Sequence, residues 1–124
     1  MQTVATPTGP AIQDPADEIY FPYEISFKDT ESSDAIRFQI EQYLAKLSRL
    51  FDRITDCRVV VSIPHKRSGN RFFHVHATMD LPGKRIAVSR EPEVKDEHTE
   101  IHTAISSTFH KLTRQMEDYL RSRS

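Results

Sequence analysis

Residues 101–121 read IHTAISSTFHKLTRQMEDYLR, and this stretch decides how the rest of the chain must fold. Its apolar residues recur every three or four positions: Ile101, Ala104, Ile105, Phe109, Leu112, Met116, Tyr119 and Leu120. The spacing predicts a helix with one apolar face that another layer must cover. Lys111, Arg114 and Arg121 are turned away from that face, so the helix also has a cationic edge.

A second amphipathic helix is predicted to begin at one of several possible caps between residues 30 and 34 and to run to about residue 52. Its apolar stripe comprises Ile36, Ile40, Tyr43, Leu44, Leu47, Phe51 and Ile54. Lys46, Arg49 and Arg53 form a cationic edge on another side. One such edge is typical of a solvated helix face, but two in one small domain favour a polyanionic partner.

Four segments show the pattern of strands. They are residues 22–28, 58–63, 72–81 and a segment that contains Ile86 and Val88. Pro82 and Gly83 suit a type II turn between the last two. The sequence therefore predicts an α+β fold in the order β-α-β-β-β-α, with a four-stranded mixed sheet and both helices on one face, similar to a double-stranded-RNA-binding domain.

The length of 124 residues suits one domain, and the net charge of −1 conceals an asymmetry. Residues 1–34 carry seven acids and one base, whereas residues 35–124 carry sixteen bases and eleven acids. We expect residues 1–21 to be a flexible acidic extension and residues 22–124 to form the domain. The acidic front is either a solubilising tail or a screen over the basic surface.

The single cysteine, Cys57, excludes an internal disulfide framework and suits a reducing compartment. It begins an apolar run, so we interpret it as a half-buried structural thiol. No segment approaches the roughly 20 apolar residues that cross a bilayer, and the N-terminus lacks the features of a secretory signal. We therefore expect a cytoplasmic protein.

Two other classes of function compete with a polyanion-binding protein. His74 and His76 project from one strand face and could share a metal, with His65, His98, His102 and His110 as further candidates. No carboxylate or cysteine is placed beside the pair, so a histidine-dependent metal-binding protein is the less favoured alternative, and no metal or cofactor is expected. The acidic residues 91–100 are interpreted as favourable charges at a helix start. No glycine-framed serine, Walker-type loop or activating partner for Cys57 indicates an enzyme. A general RNA-binding module is a further alternative.

A collinear series of short motifs resembles the family of ribosome hibernation-promoting factors and ribosome-associated inhibitors. The motifs are Lys46-Leu47, Phe51-Asp52-Arg53-Ile54, Cys57-Arg58-Val59-Val60-Val61, Pro64-His65, Gly69, His74-Val75, Leu81-Pro82-Gly83, Arg114-Gln115 and Asp118-Tyr119. The resemblance covers about residues 22–121. It implies the fold predicted above, with the first two strands parallel and the sheet order following the sequence.

The resemblance also implies a function. Members of the family bind the small ribosomal subunit near the decoding centre and hold idle ribosomes inactive during stress or stationary phase. Such a protein blocks messenger and transfer RNA by shape and by cations that meet phosphates. The expected rRNA contacts lie on the two helices and, in addition, on the basic loop 65–71: Lys46, Arg49, Arg53, Lys111, Arg114, Arg121, Lys66, Arg67 and Arg71. The expected partner is the small subunit, and the chain is expected to be a monomer without a small-molecule substrate.

Some positions depart from the family pattern. Glu100, His102 and Ser106 stand where the family commonly has an aspartate, an aromatic residue and an aspartate. The chain also resembles the short form of the family, which lacks the C-terminal domain that pairs ribosomes. We therefore expect no direct ribosome dimerisation by this chain alone.

Overall fold

A computed structural model describes residues 14–62, 66–67, 70–71, 74–90 and 101–122 of the chain. The elements in chain order are a short 3-10 helix (Pro15–Glu18), β1 (Tyr23–Lys28), α1 (Asp34–Leu50), β2 (Asp56–Ser62), β3 (Lys66–Arg67), β4 (Asn70–Arg71), β5 (His74–Leu81), β6 (Lys84–Arg90) and α2 (Ile101–Ser122).

The main sheet has four strands in the order β1-β2-β5-β6. β1 runs parallel to β2, with Tyr23 opposite Cys57, and the two following pairs are antiparallel. The two α-helices and the four-stranded mixed sheet confirm the predicted α+β class, and the sheet order follows the sequence as the resemblance implied.

One hydrophobic core joins the helices to the sheet. Alternate strand residues, such as Val59, Val75 and Met79, are buried together with Leu44 of α1 and Leu112 of α2. Because side chains alternate across a strand, the other face of the sheet carries the polar residues. Both helices share this single core, so the apolar faces that the periodicity predicted are covered by the same side of the sheet.

Local chemistry explains where α1 begins and ends. The Ser33 hydroxyl accepts a hydrogen bond from the Ile36 amide at 3.3 Å, so Ser33 is the N-cap among the predicted candidates. The helix ends at Leu50, two residues before the predicted end, because Phe51 takes an extended conformation while its amide still donates to the Leu47 carbonyl.

Residues 14–21, which belong to the predicted flexible extension, pack against the domain in the structure. Pro15 and Phe21 are buried, and the Tyr20 hydroxyl donates to the Phe51 carbonyl at 2.7 Å and accepts from the Ile54 amide at 2.9 Å. The segment is therefore attached at the C-terminal end of α1. Residues 1–13 of the predicted extension lie outside the described residues.

Three local features can be compared with the sequence-based predictions. Gly83 has a φ of 76°, the left-handed conformation that position i+2 of a type II turn requires, which agrees with the predicted turn. The segment predicted as a basic loop contains the short strands β3 and β4, with Lys66 opposite Arg71. Cys57 is fully buried, and this burial raises the pKa of its thiol to about 12.

Candidate nucleic-acid interface

Polar and aromatic contacts fix α1 against α2. Tyr43 stacks on Phe109 with ring centroids 5.0 Å apart, and its hydroxyl is hydrogen-bonded to the Ser106 hydroxyl. One turn away, the Gln39 side chain donates to the His102 carbonyl at 3.1 Å and is hydrogen-bonded to the His102 ring. His102 and Ser106, two of the three positions that depart from the family pattern, therefore connect the helices to each other.

The two helices border a groove with a volume of about 260 Å³. Its lining residues come from both helices: Tyr43, Lys46, Leu47, Phe109, His110, Thr113, Arg114 and Glu117. Lys46 and Arg114, predicted separately from two helix edges, thus lie on the same concave surface. Two cations that line one groove suit a phosphate group better than two isolated surface charges do.

A second concavity, of about 380 Å³, lies along α2 beside the first. It is lined by Thr103, Ser106, Ser107, His110, Lys111 and Arg114. We use the term basic face for the surface formed by Lys46, Lys111 and Arg114 across both concavities. Within the part of the chain that the structure describes, none of these three cations is paired with a carboxylate.

The other predicted helix cations do not share this arrangement. Arg49 donates to Glu18 at 2.6 Å, so the attached N-terminal segment already supplies an anion to it. Arg121 donates to Asp118 at 3.3 Å on the last turn of α2. Arg53 follows α1 and is exposed in the connection to β2, away from both concavities.

The remaining predicted contacts lie on the β3–β4 pair. The structure gives the backbone pairing of Lys66 with Arg71 and of Arg67 with Asn70. The side chains of Lys66, Arg67 and Arg71 lie outside the described residues, so their role as rRNA contacts stays a prediction.

The histidine pair on β5 lies on the sheet face opposite the helices. His76 Nδ1 is 2.5 Å from the Ser89 hydroxyl and its Nε2 is 3.2 Å from the Thr78 hydroxyl, so both ring nitrogens have protein partners. Among the described residues, no three histidine, cysteine, aspartate or glutamate side chains come close enough to hold a metal ion. In the same part of the chain, neither helix combines the length and the apolar character that spanning a membrane requires.

Several residues of the grooves were not among the predicted contacts, and His110 and Glu117 are two of them. His110 lines both concavities, and Glu117 is the one carboxylate among the described residues that line them. A signal for His110 exists in the sequence, because it precedes Arg114 by four residues and adjoins Lys111. Glu117 gave no such signal, since its position depends on how α2 lies against α1.

A family model described as Sigma 54 modulation protein / S30EA ribosomal protein matches residues 23–124. Among similar proteins, the ribosome hibernation promotion factor of Deinococcus radiodurans is 27% identical over 97 residues, which is 78% of this chain and 48% of that protein. The ribosome hibernation promoting factor of Azotobacter vinelandii is 27% identical over 92 residues, which is 74% of this chain and 76% of that protein. The chain thus spans about half the length of the Deinococcus relative.

Solved structures have the same architecture. The N-terminal domain of Thermus thermophilus Protein Y superposes with a TM-score of 0.60 at 26% identity, covering 82% of this chain and 98% of that domain. A ribosomal subunit interface protein from Coxiella burnetii superposes with a TM-score of 0.63 at 20% identity, covering 81% of this chain and 98% of that chain. At this identity the second likeness supports the fold alone.

Proposed function

This chain belongs to the Sigma 54 modulation protein / S30EA ribosomal protein family, and on that premise we propose that it is a ribosome-associated hibernation factor that docks through its basic face. Family membership confirms the resemblance drawn from the motifs. The observation that carries the proposal is that Lys46 of α1 and Arg114 of α2 line one groove.

The basic face suits RNA by its charge and its shape. Lysine and arginine side chains are cationic at neutral pH, and each of their contacts with a phosphate releases counterions. The concave surface between two fixed helices offers shape recognition without a code for bases. Such a protein needs no catalysis, and the family is one of non-enzymatic ribosome-binding proteins, which confirms the prediction that the chain is not an enzyme.

The finer proposal concerns where the protein binds and what it blocks. We place the chain on the small subunit near the decoding centre, in the cytoplasm, where it keeps messenger and transfer RNA out of idle ribosomes in stress or stationary phase. The cations that are already paired, Arg49 and Arg121, contribute less to this docking than the basic face does, because their carboxylate partners compete with phosphate.

Co-sedimentation with purified small subunits tests this proposal. The variant Lys46→Ala/Lys111→Ala/Arg114→Ala is compared with the wild type and with Lys28→Ala/Arg58→Ala, a control on the open face of the sheet. We expect the first variant to lose co-sedimentation and inhibition of translation, whereas the control keeps both. If the first variant binds and inhibits like the wild type, the basic face is not the docking surface.

A general RNA-binding module is the alternative that the charge distribution also supports. The same cations attract any polyanion, because electrostatic contact with phosphates carries no sequence information. Competition separates the two functions. A ribosome-specific protein remains on small subunits in the presence of an excess of duplex RNA, whereas a general module is displaced at comparable concentrations of phosphate groups.

A further inference from the structure

His110 occupies a shared position on the basic face. Of the described residues that line the two concavities, only His110 and Arg114 line both. His110 is exposed and precedes Arg114 by one helical turn, so the two side chains lie on the same side of α2. A ligand that occupies either concavity therefore meets the imidazole.

The surroundings of His110 contain one kind of group that changes charge near neutral pH. The charged or titratable side chains that face it are Tyr43 and Lys46 from α1 and Lys111, Arg114 and Glu117 from α2. Ordinary lysine, arginine, glutamate and tyrosine side chains keep one charge state between about pH 6 and pH 8, whereas imidazole gains or loses its proton in this range. Among the described residues of the two concavities, an imidazole is therefore the kind of side chain through which a proton can change the surface charge.

We propose that His110 is a proton-sensitive RNA ligand, whose imidazolium form contacts a phosphate group of the RNA bound on the basic face. This inference rests on the proposed function and adds regulation by pH to it. A protonated imidazole is cationic and donates from both ring nitrogens, whereas the neutral ring has one donor and no charge.

A phosphate beside the ring favours the imidazolium form, so RNA binding and protonation strengthen each other. Binding then takes up protons in the neutral range, and the affinity for ribosomes rises as the pH falls. A permanent cation at the same position gives the high-affinity state at every pH in this range. A neutral side chain of similar shape gives the low-affinity state.

Affinity for purified small subunits at about pH 6 and about pH 8, at constant ionic strength, tests this inference. We expect the wild type to bind about three- to tenfold more tightly at the lower pH, as one added phosphate contact implies. His110→Gln loses this difference, and His110→Lys binds at the higher pH as the wild type does at the lower one. His76→Gln, on the opposite face of the sheet, keeps the wild-type pH dependence and controls for the removal of a histidine, and any pH dependence left in His110→Gln reports titration of the ribosome.

Three outcomes are distinguishable. If His110→Gln keeps the full pH dependence, His110 is not the proton-sensitive ligand. If Lys46→Ala/Arg114→Ala binds like the wild type at both pH values, the proposed docking surface itself fails. If that double variant binds weakly while His110→Gln behaves like the wild type, only the present inference is overturned. Helical circular dichroism checks that each variant is folded, which the exposed helical position of His110 favours.

Discussion

Tyr43 of α1 lies flat against Phe109 of α2, with ring planes only 2° from parallel. Both rings line the groove that also contains Lys46 and Arg114. The stacked pair therefore packs together the two helices that carry these cations. The Ser106 hydroxyl adds a polar contact to the same tyrosine, so both the ring and the hydroxyl of Tyr43 contribute to the alignment of the helices.

Substitutions of Tyr43 separate these two contributions. Tyr43→Phe removes the contact with Ser106 and keeps the stacking, so we expect a loss of about 0.5–1.5 kcal/mol in the free energy of unfolding. Tyr43→Ala also removes the ring, and the loss rises to about 2–4 kcal/mol. Denaturant unfolding measures both, and Ser106→Ala closes a double-mutant cycle. A cycle without any coupling energy would contradict the role of the hydroxyl pair.

Substitutions at the adjacent residues Lys111 and Leu112 distinguish ribosome binding from folding stability. Lys111 is exposed on the basic face, whereas Leu112 is fully buried in the core. Lys111→Ala should weaken ribosome binding and change the free energy of unfolding by less than about 0.5 kcal/mol. Leu112→Ala should cost about 2–5 kcal/mol of stability through the cavity that it leaves. Chemical denaturation and co-sedimentation of both variants check this pair, and the expectation fails if both variants lose the same property.

The ion pair between Glu18 and Arg49 predicts an effect of the attached N-terminal segment. Glu18→Gln frees Arg49 for a phosphate, so ribosome affinity should rise about two- to threefold at low salt, and the gain should fade as salt screens it. Asp17→Asn in the same 3-10 helix is the matched control. An equal response of the two variants would indicate a general charge effect and would contradict a specific screening of Arg49.

The pair formed by Asp80 and Arg85 predicts a loss of stability in acid. Arg85 donates to Asp80 at 2.7 Å and 3.1 Å and lowers the pKa of this carboxyl below its ordinary value. Because the folded pKa is depressed, the pair stabilises the protein above the unfolded pKa of about 4, and this contribution is lost as the pH falls through the folded value.

Denaturant unfolding at about pH 6 and about pH 3 measures that loss. Since Arg85 is solvent-exposed, we expect this pair to account for only a small share of the loss. Asp80→Asn removes the titrating carboxyl, so the variant should lose less stability than the wild type over this interval. An identical pH profile for the variant would show that the carboxyl does not contribute.

The parts of the fold that periodicity predicted are those that bury apolar residues at regular spacing. Leu112 of α2 and Val75 of β5 are both buried in the core, as the spacing of apolar residues in their segments predicts. The faces of the helices and the alternation of the strands therefore follow from the sequence. Strands β3 and β4 have no such signal, because polar residues form both of them.

The packing of residues 14–21 against the domain could not be predicted from the sequence, for a different reason. A segment rich in proline and acidic residues has the composition of a flexible tail. Tyr20, however, finds its partners at Phe51 and Ile54, more than 30 positions along the chain. The candidate site could be predicted only in part for a similar reason. The spacing of the cations predicts each helix edge, but whether Lys46 and Arg114 line the same groove depends on how the two helices pack.

Proximity cleavage of ribosomal RNA from a tethered iron chelate is the most direct test that RNA lies against the basic face. Cys57 is fully buried and the pKa of its thiol is raised to about 12, so a new surface cysteine is labelled selectively. The two labelling sites are Ser107→Cys, in the concavity along α2, and Ala87→Cys, on the open face of the sheet. Our account predicts strong cleavage of small-subunit RNA from position 107 and weak cleavage from position 87. Stronger cleavage from position 87 would contradict it.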